Sequence, residues 1–255
     1  MIRTSLTVGL FLASLTSVTD DSWESIFNGK DLSGWTVKIK GSKVGEDPYQ
    51  TFSVQGGAIT VTYDNYTLFK NRFGHLFFME NLSHYKLKLD YRFTGDQVKD
   101  GEGWAYRNSG VMLHGQHPES MAVDQDFPVS VEVQLLGGNG KDNRSTANIC
   151  TPGTHVEIEG KLEKNHCINS TSKTYHGDQW VHLELEVKGG KVIRHSINGD
   201  KVFDYGGAVL DSTDPDAKRL IENGFPLSLS TGYFSLQSES HPVQFKNIFL
   251  KRLDK

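Results

Sequence analysis

Cysteine is scarce in this chain of 255 residues: there are two, Cys150 and Cys167. Two thiols alone cannot supply the four ligands of a structural zinc site. A basic excess is missing too. Lys and Arg number 27 against 31 Asp and Glu, and the formal charge of −4 argues against the basic face that a nucleic-acid partner requires. Beyond the first residues no apolar run is long enough to span a bilayer. No long helical period is visible, and the best candidate for a short helix is Asp214–Glu222. Nothing in the sequence calls for a nucleotide cofactor.

What is present begins with residues 1–19. Arg3 precedes the apolar Val8–Ala13, and Ser14–Thr19 comes after it, the arrangement of a secretory signal. No cysteine sits just behind it, so no lipid or other membrane anchor is expected. The protein is read as exported, periplasmic or secreted, with residues 20–255 forming one domain, a length that all-β sandwiches often reach. In that setting the two cysteines read as one disulfide closing a polar loop, worth on the order of 3 kcal/mol. Two unrelated thiols are the bland alternative.

Strand signals run from about residue 52 to the end: Thr51–Thr62, Lys86–Thr94, Ser109–His114, Val129–Leu136, Val181–Val187, Val192–Ile197, Lys201–Tyr205, Gly232–Gln237 and Val243–Leu250. Lys188-Gly-Gly-Lys191 and Ile197-Asn-Gly-Asp200 are hairpin signals, the second matching a type I′ turn. The pattern predicts an all-β sandwich of two antiparallel sheets.

The richest segment is Val129–Leu136. Period-two alternation sends Val131, Val133 and Leu135 into a core and leaves Glu132 and Gln134 on the opposite face. The strand before it turns Val111 and Leu113 inward and Asn108, Met112 and His114 outward. Asp90 and Arg92, then Tyr233, Gln237 and Glu239, extend this polar face if their strands share the sheet. By contrast His182, Glu184 and Glu186 make a plain charged face. Three long connections rim the polar face: Gly95–Arg107 with Trp104 and Tyr106, Gly115–Pro128 with His117 and Phe127, and Gly137–Gln179 with both cysteines, His155, His166 and His176. Loops of that length in a compact domain are usually functional or disordered, and a disulfide argues against disorder.

Ser25-Ile-Phe-Asn-Gly-Lys-Asp-Leu-Ser-Gly-Trp35, Arg107-Asn-Ser-Gly-Val111, Glu132-Val-Gln134 and Leu236-Gln-Ser-Glu-Ser-His-Pro-Val-Gln-Phe-Lys-Asn-Ile248 occur in this order. The set closely resembles the 3-keto-disaccharide hydrolase domain family and covers nearly all of the mature chain. The resemblance implies a concanavalin-like jelly roll acting on glycosides whose sugar is a ketone at C3, with an oxidoreductase partner as a candidate source of the keto-sugar. One departure is that Ser238-Glu-Ser-His241 stands where the family often has His-Gly after the Leu-Gln pair, which displaces the imidazole and adds a carboxylate.

A C3 ketone acidifies the hydrogen at C2, so a base can start elimination of the group at C1, and water then completes a net hydrolysis. Glu132 or His114 is the candidate base, and Arg107, Gln134 or a divalent cation the candidate oxyanion stabiliser. Glu132, Gln134 and His114 are the candidate metal ligands. Asn108, Gln134, Asp90, Arg92, Trp104, Tyr233, Gln237 and Glu239 are the candidate sugar contacts. Two rivals stay open. A retaining jelly-roll glycosidase needs two carboxyl groups about 5–5.5 Å apart, and Gln134 stands where the same strand would place the second. A lectin-like, non-catalytic carbohydrate-binding module would spread aromatics and amides along a groove.

Overall fold

Alternating apolar residues become strands whose neighbours are all antiparallel. The computed structural model describes residues 22–254, so the expected signal lies outside the described residues. The strands are β1 (Glu24–Ser25), β2 (Trp35–Ile39), β3 (Phe52–Gln55), β4 (Ala58–Val61), β5 (Gly74–Leu82), β6 (His84–Phe93), β7 (Asn108–Gly115), β8 (Val131–Leu136) and β9 (Asn148–Cys150). They continue with β10 (Thr154–Ile158), β11 (Lys161–Glu163), β12 (Cys167–Ile168), β13 (Val181–Lys188), β14 (Val192–Ile197), β15 (Asp200–Leu210), β16 (Gly232–Ser238) and β17 (Val243–Arg252). Among the described residues one α-helix, α1 (Pro215–Glu222), begins behind Asp214, whose carboxylate accepts from the Asp216 and Ala217 amides. That cap satisfies two of the free N–H groups of the first turn.

Two sheets pack face to face as a jelly-roll sandwich. The larger runs β11-β10-β15-β14-β13-β6-β17-β4-β3, with β1 on β17; the smaller runs β12-β9-β8-β7-β16-β5-β2. Leu76, Val111, Val131, Val133, Phe234 and Leu236 from the smaller sheet meet Leu87, Leu89, Leu183, Leu185, Ile193 and Phe245 from the larger. Each fully buried side chain of this kind contributes about 1.5–3 kcal/mol.

Segments with clear alternation form strands as expected. Thr51–Thr62 is a hairpin rather than one strand, because Gly56 and Gly57 both take positive φ (+58° and +78°) between β3 and β4. The Asn198-Gly199 turn has φ of +50° and +89°, as a type I′ turn requires. The short strands β9 to β12 lie in the segment read as a long loop, held in part by the Cys150–Cys167 disulfide.

The two sheets differ on their outer faces. In β6 burial alternates strictly, so that face meets solvent, whereas every residue of β7 is buried. The outer face of the smaller sheet is therefore covered, and the covering segments are the three long connections.

Candidate active site

The floor of the site is set by register. Glu132 on β8 stands opposite Met112 on β7, and Met112 opposite Ser235 on β16. Gln134 stands opposite Gly110 and Asn148. Residues directly opposite in an antiparallel pair share a face, so Glu132, Gln134, Ser235, Gln237 and His75 belong to one surface, with Gln237 opposite His75 on β5. Gly110 is required by close approach: a Cβ there would lie 2.6 Å from Glu132 Oε1 and 2.8 Å from its Cγ. The glutamate side chain thus lies across the glycine.

Over this floor sits a cavity of about 410 Å³. Glu132, Gln134, Asn108 and Glu239 form its polar base, and Trp104 and Phe127 its aromatic walls. Cys150, Pro152, His166 and Cys167 complete it. Each of the three long connections supplies a rim residue: Trp104, Phe127 and His166. Trp104 is 53% exposed and stacks on Phe73 (6.2 Å between ring centroids, 26°), which in turn packs against Phe127 at 4.7 Å.

Two carboxyls share this cavity. Glu132 is 7% exposed and Glu239 3%. Burial pushes the Glu132 carboxyl up to about 8. Burial also holds Glu239 well above the usual carboxylate range; the charge of Glu132 adds to this and Arg144 opposes it. Two carboxylates that feel each other in a dry site do not both ionise easily. Near neutrality the pair therefore holds at least one proton, and ionisation of Glu132 leaves a base and an acid in one cavity.

Several buried polar atoms of this face have no hydrogen-bond partner within the protein: His75 Nε2, Asn108 Oδ1, Ser235 Oγ, both amide atoms of Gln237, and Glu239 Oε2. Leaving such an atom unpaired costs about 1–3 kcal/mol; of these residues Asn108 and Glu239 line the cavity, while His75, Ser235 and Gln237 are buried and do not. His75 is held neutral, its pKa lowered to about 3 by burial and by nearby Lys38.

Arg144 fastens the roof. Its guanidinium donates to the carbonyls of Tyr106, Gly137 (2.9 Å), Trp104 (3.1 Å) and Arg107 (3.3 Å). The loop that carries Trp104 is thereby tied to the end of β8.

The structure gathers Glu132, Gln134, Asn108, Trp104 and Glu239 around the cavity, keeps Gln237 on the same face but fully buried and outside the lining, and disperses the other candidates. His114 leaves the face because β7 bulges: Leu113 and His114 together oppose Phe234, and His114 takes φ +50°. Its Nε2–H donates to the Gly189 carbonyl (3.1 Å), and it lines a separate cavity with Tyr233 and His117, whose rings meet edge-on at 4.9 Å. The Glu132–Gln134–His114 ligand set is therefore not assembled, and among the described residues no group of three or more His, Cys, Asp or Glu side chains is arranged to hold a metal. Arg107 turns to the 177–178 segment, donating to the Gly177 carbonyl (2.6 Å) and the Asp178 carboxylate (2.9 Å).

Asp90 and Arg92 belong to the other sheet. β6 pairs with β13, placing Asp90 opposite His182, with Asp90 Oδ1 2.7 Å from His182 Nδ1. Arg92 donates to Gln244 (2.8 Å) and lies over Trp180. Both are on the outer face of the larger sheet, the plain charged face, because alternation fixes the face of a strand but not its sheet. Arg144 and His75 carried no signal in the sequence: one lies in a polar loop, the other in a strand whose apolar run hid its alternation.

The sequence profile of the 3-keto-alpha-glucoside-1,2-lyase-like domain matches residues 22–251. No curated protein matches the chain. Among solved structures, a protein of Parabacteroides distasonis ATCC 8503 described provisionally as a glycosyl hydrolase superposes with a TM-score of 0.53 at 22% identity, covering 91% of this chain and 94% of that one. A second protein of that organism, described in the same way, gives 0.53 at 17% identity over 91% and 100%. At these identities the likeness is one of fold. The profile match spans nearly the whole described structure, and the chain belongs to the 3-keto-alpha-glucoside-1,2-lyase-like domain family.

Proposed function

We propose that the protein cleaves glycosides whose sugar carries a ketone at C3, by elimination across C1–C2 followed by hydration. The observation that carries this reading is the buried Glu132–Glu239 pair, and the family membership supports it. In its ionised form Glu132 takes the acidified C2 hydrogen. A base whose pKa lies near neutrality is well matched to that task. Glu239, kept protonated, donates a hydrogen bond to the C3 oxygen as the enolate forms, the role a neutral buried carboxylic acid can fill at neutral pH. The enolate then collapses, C1–C2 becomes a double bond, and the leaving group departs from C1.

Asn108 and Gln134 are suited to the sugar hydroxyls, and Trp104 and Phe127 to its apolar faces. The fold likeness to proteins described provisionally as glycosyl hydrolases agrees with a sugar ligand. The disulfide fits an exported protein working in an oxidising compartment, periplasmic or secreted. A separate oxidoreductase would supply the ketone.

The test is incubation with an alkyl 3-keto-glucoside and with its unoxidised parent. Release of the alcohol from the keto-sugar alone, lost in Glu132→Gln, is expected. Turnover of the unoxidised glucoside would favour a conventional two-carboxylate glycosidase. Binding without turnover of either would favour a lectin-like module.

A further inference from the structure

The elimination leaves one demand unmet: the oxygen departing from C1 needs a proton, and Glu132 and Glu239 are engaged at C2 and C3. A second cavity shows where that oxygen would lie. A polar groove of about 470 Å³, with Lys40, Asp124, Asp126, His155, Lys164 and Asp211 among its lining, adjoins the sugar cavity. The two cavities have three lining residues in common, Phe127, Pro152 and His166. If the keto-sugar occupies the first and the leaving group the second, the scissile bond lies at this junction. Of the three residues only His166 carries a transferable proton.

Register sets His166 at a useful distance from the base. Glu132 is directly opposite Cys150, and Cys150 directly opposite Cys167. An antiparallel pair is about 4.5–5.5 Å apart between Cα atoms, and the disulfide-linked Cα atoms are 4.2 Å apart. The Cα of the residue beside His166 is thus about 10 Å from that of Glu132. A carboxylate and an imidazole reaching in from the two ends can address C2 and the C1 oxygen of one sugar ring. The disulfide fixes this spacing, and the His166 carbonyl is held by the Thr151 amide (2.9 Å) and hydroxyl (3.3 Å). The imidazole itself is exposed and free to meet the groove.

We propose that His166 is the proton donor to the leaving group, an inference that rests on the elimination reading above. As the C1–O bond breaks and its electron pair goes to oxygen, that oxygen takes a proton from an imidazole nitrogen, while Glu132 holds the proton taken from C2. In hydration a water oxygen bonds C1, His166 receives the water proton, and Glu132, its carboxyl proton exchanged with water after the elimination, protonates C2. Both residues end as they began, and the sum is glycoside plus water giving keto-sugar plus alcohol. The hydrophilic groove marks the leaving group as an alcohol of polar character, such as another sugar or a polyol, whose alkoxide is too basic to depart unprotonated.

The experiment compares a 3-keto-glucoside of a simple alcohol with the 4-nitrophenyl 3-keto-glucoside, whose phenolate leaves without a proton. His166→Gln is expected to lose about 10²–10⁴-fold in kcat on the alkyl substrate and far less on the nitrophenyl one. The activity retained on the nitrophenyl substrate also certifies the fold of the variant. Equal losses on both substrates, or no loss on the alkyl one, would overturn the assignment. If the wild type acts on neither, the elimination reading fails and the role of His166 falls with it; a wild type active on both beside an unaffected His166→Gln removes His166 alone.

Discussion

Glu132→Gln should make the protein more stable at alkaline pH while removing its base. Burial moves the Glu132 carboxyl from 4.5 in its ordinary state to about 8 in the folded chain. The folded state therefore keeps a proton that the unfolded chain releases as pH rises above 4.5. Stability from this group is fully present below the unfolded pKa, declines as pH climbs, and is lost once pH passes about 8. At about 1.4 kcal/mol per pH unit the ceiling is roughly 5 kcal/mol. Relaxation of the cavity and the unmet hydrogen bonds of the new amide reduce the expected gain to about 2–3 kcal/mol. For a chain of this length that is roughly 4–12 °C in Tm. Urea and thermal unfolding of both proteins at pH 5 and pH 8.5 measure it. The variant should be no more stable than the wild type near pH 5 and should exceed it at pH 8.5. Equal stability at pH 8.5, or a gain of the same size at both values, would refute the claim that a buried, poorly compensated charge sits at Glu132.

Gly110→Ala places a Cβ 2.6 Å from Glu132 Oε1; the flexible carboxylate should swing aside, cutting kcat about tenfold or more with under about 1 kcal/mol lost in urea unfolding. Asp90→Asn with Arg92→Gln alters only the outer face of the larger sheet, so kcat and KM on a keto-glucoside should stay within about twofold. Converting Cys150 and Cys167 to serine together should cost about 3 kcal/mol in unfolding free energy and raise KM, because the bridge lines the sugar cavity.

Glu132 and Gln134 can be placed on one polar face from the sequence because the residues of their strand alternate in type and β8 keeps an unbroken register with β7 and β9. Phe234 and Leu236 are equally plain, and with them the outward direction of Gln237. His114 is lost to a bulge, which inserts one residue and reverses the face of the residues beyond it without any mark in the hydrophobic pattern. Asp90 and Arg92 fall on the other sheet, since partnership between strands depends on connections that alternation does not encode. The second carboxylate comes not from the strand of Glu132 but from the far end of β16, where Glu239 lies just past the last paired residue. Its approach to Glu132 is a tertiary fact. Arg144, in a polar segment, gives no sign in the sequence that four backbone carbonyls converge on it.

The central claim is that Glu132 removes the C2 hydrogen of a 3-keto-glycoside. Proton NMR in deuterated water, tracking a 3-keto-glucoside with wild type and with Glu132→Gln, addresses it directly. Deuterium at C2 of the keto-sugar released by the wild type is the predicted result, with both release and incorporation abolished in the variant. Alcohol released by the wild type with the C2 hydrogen fully retained would contradict it.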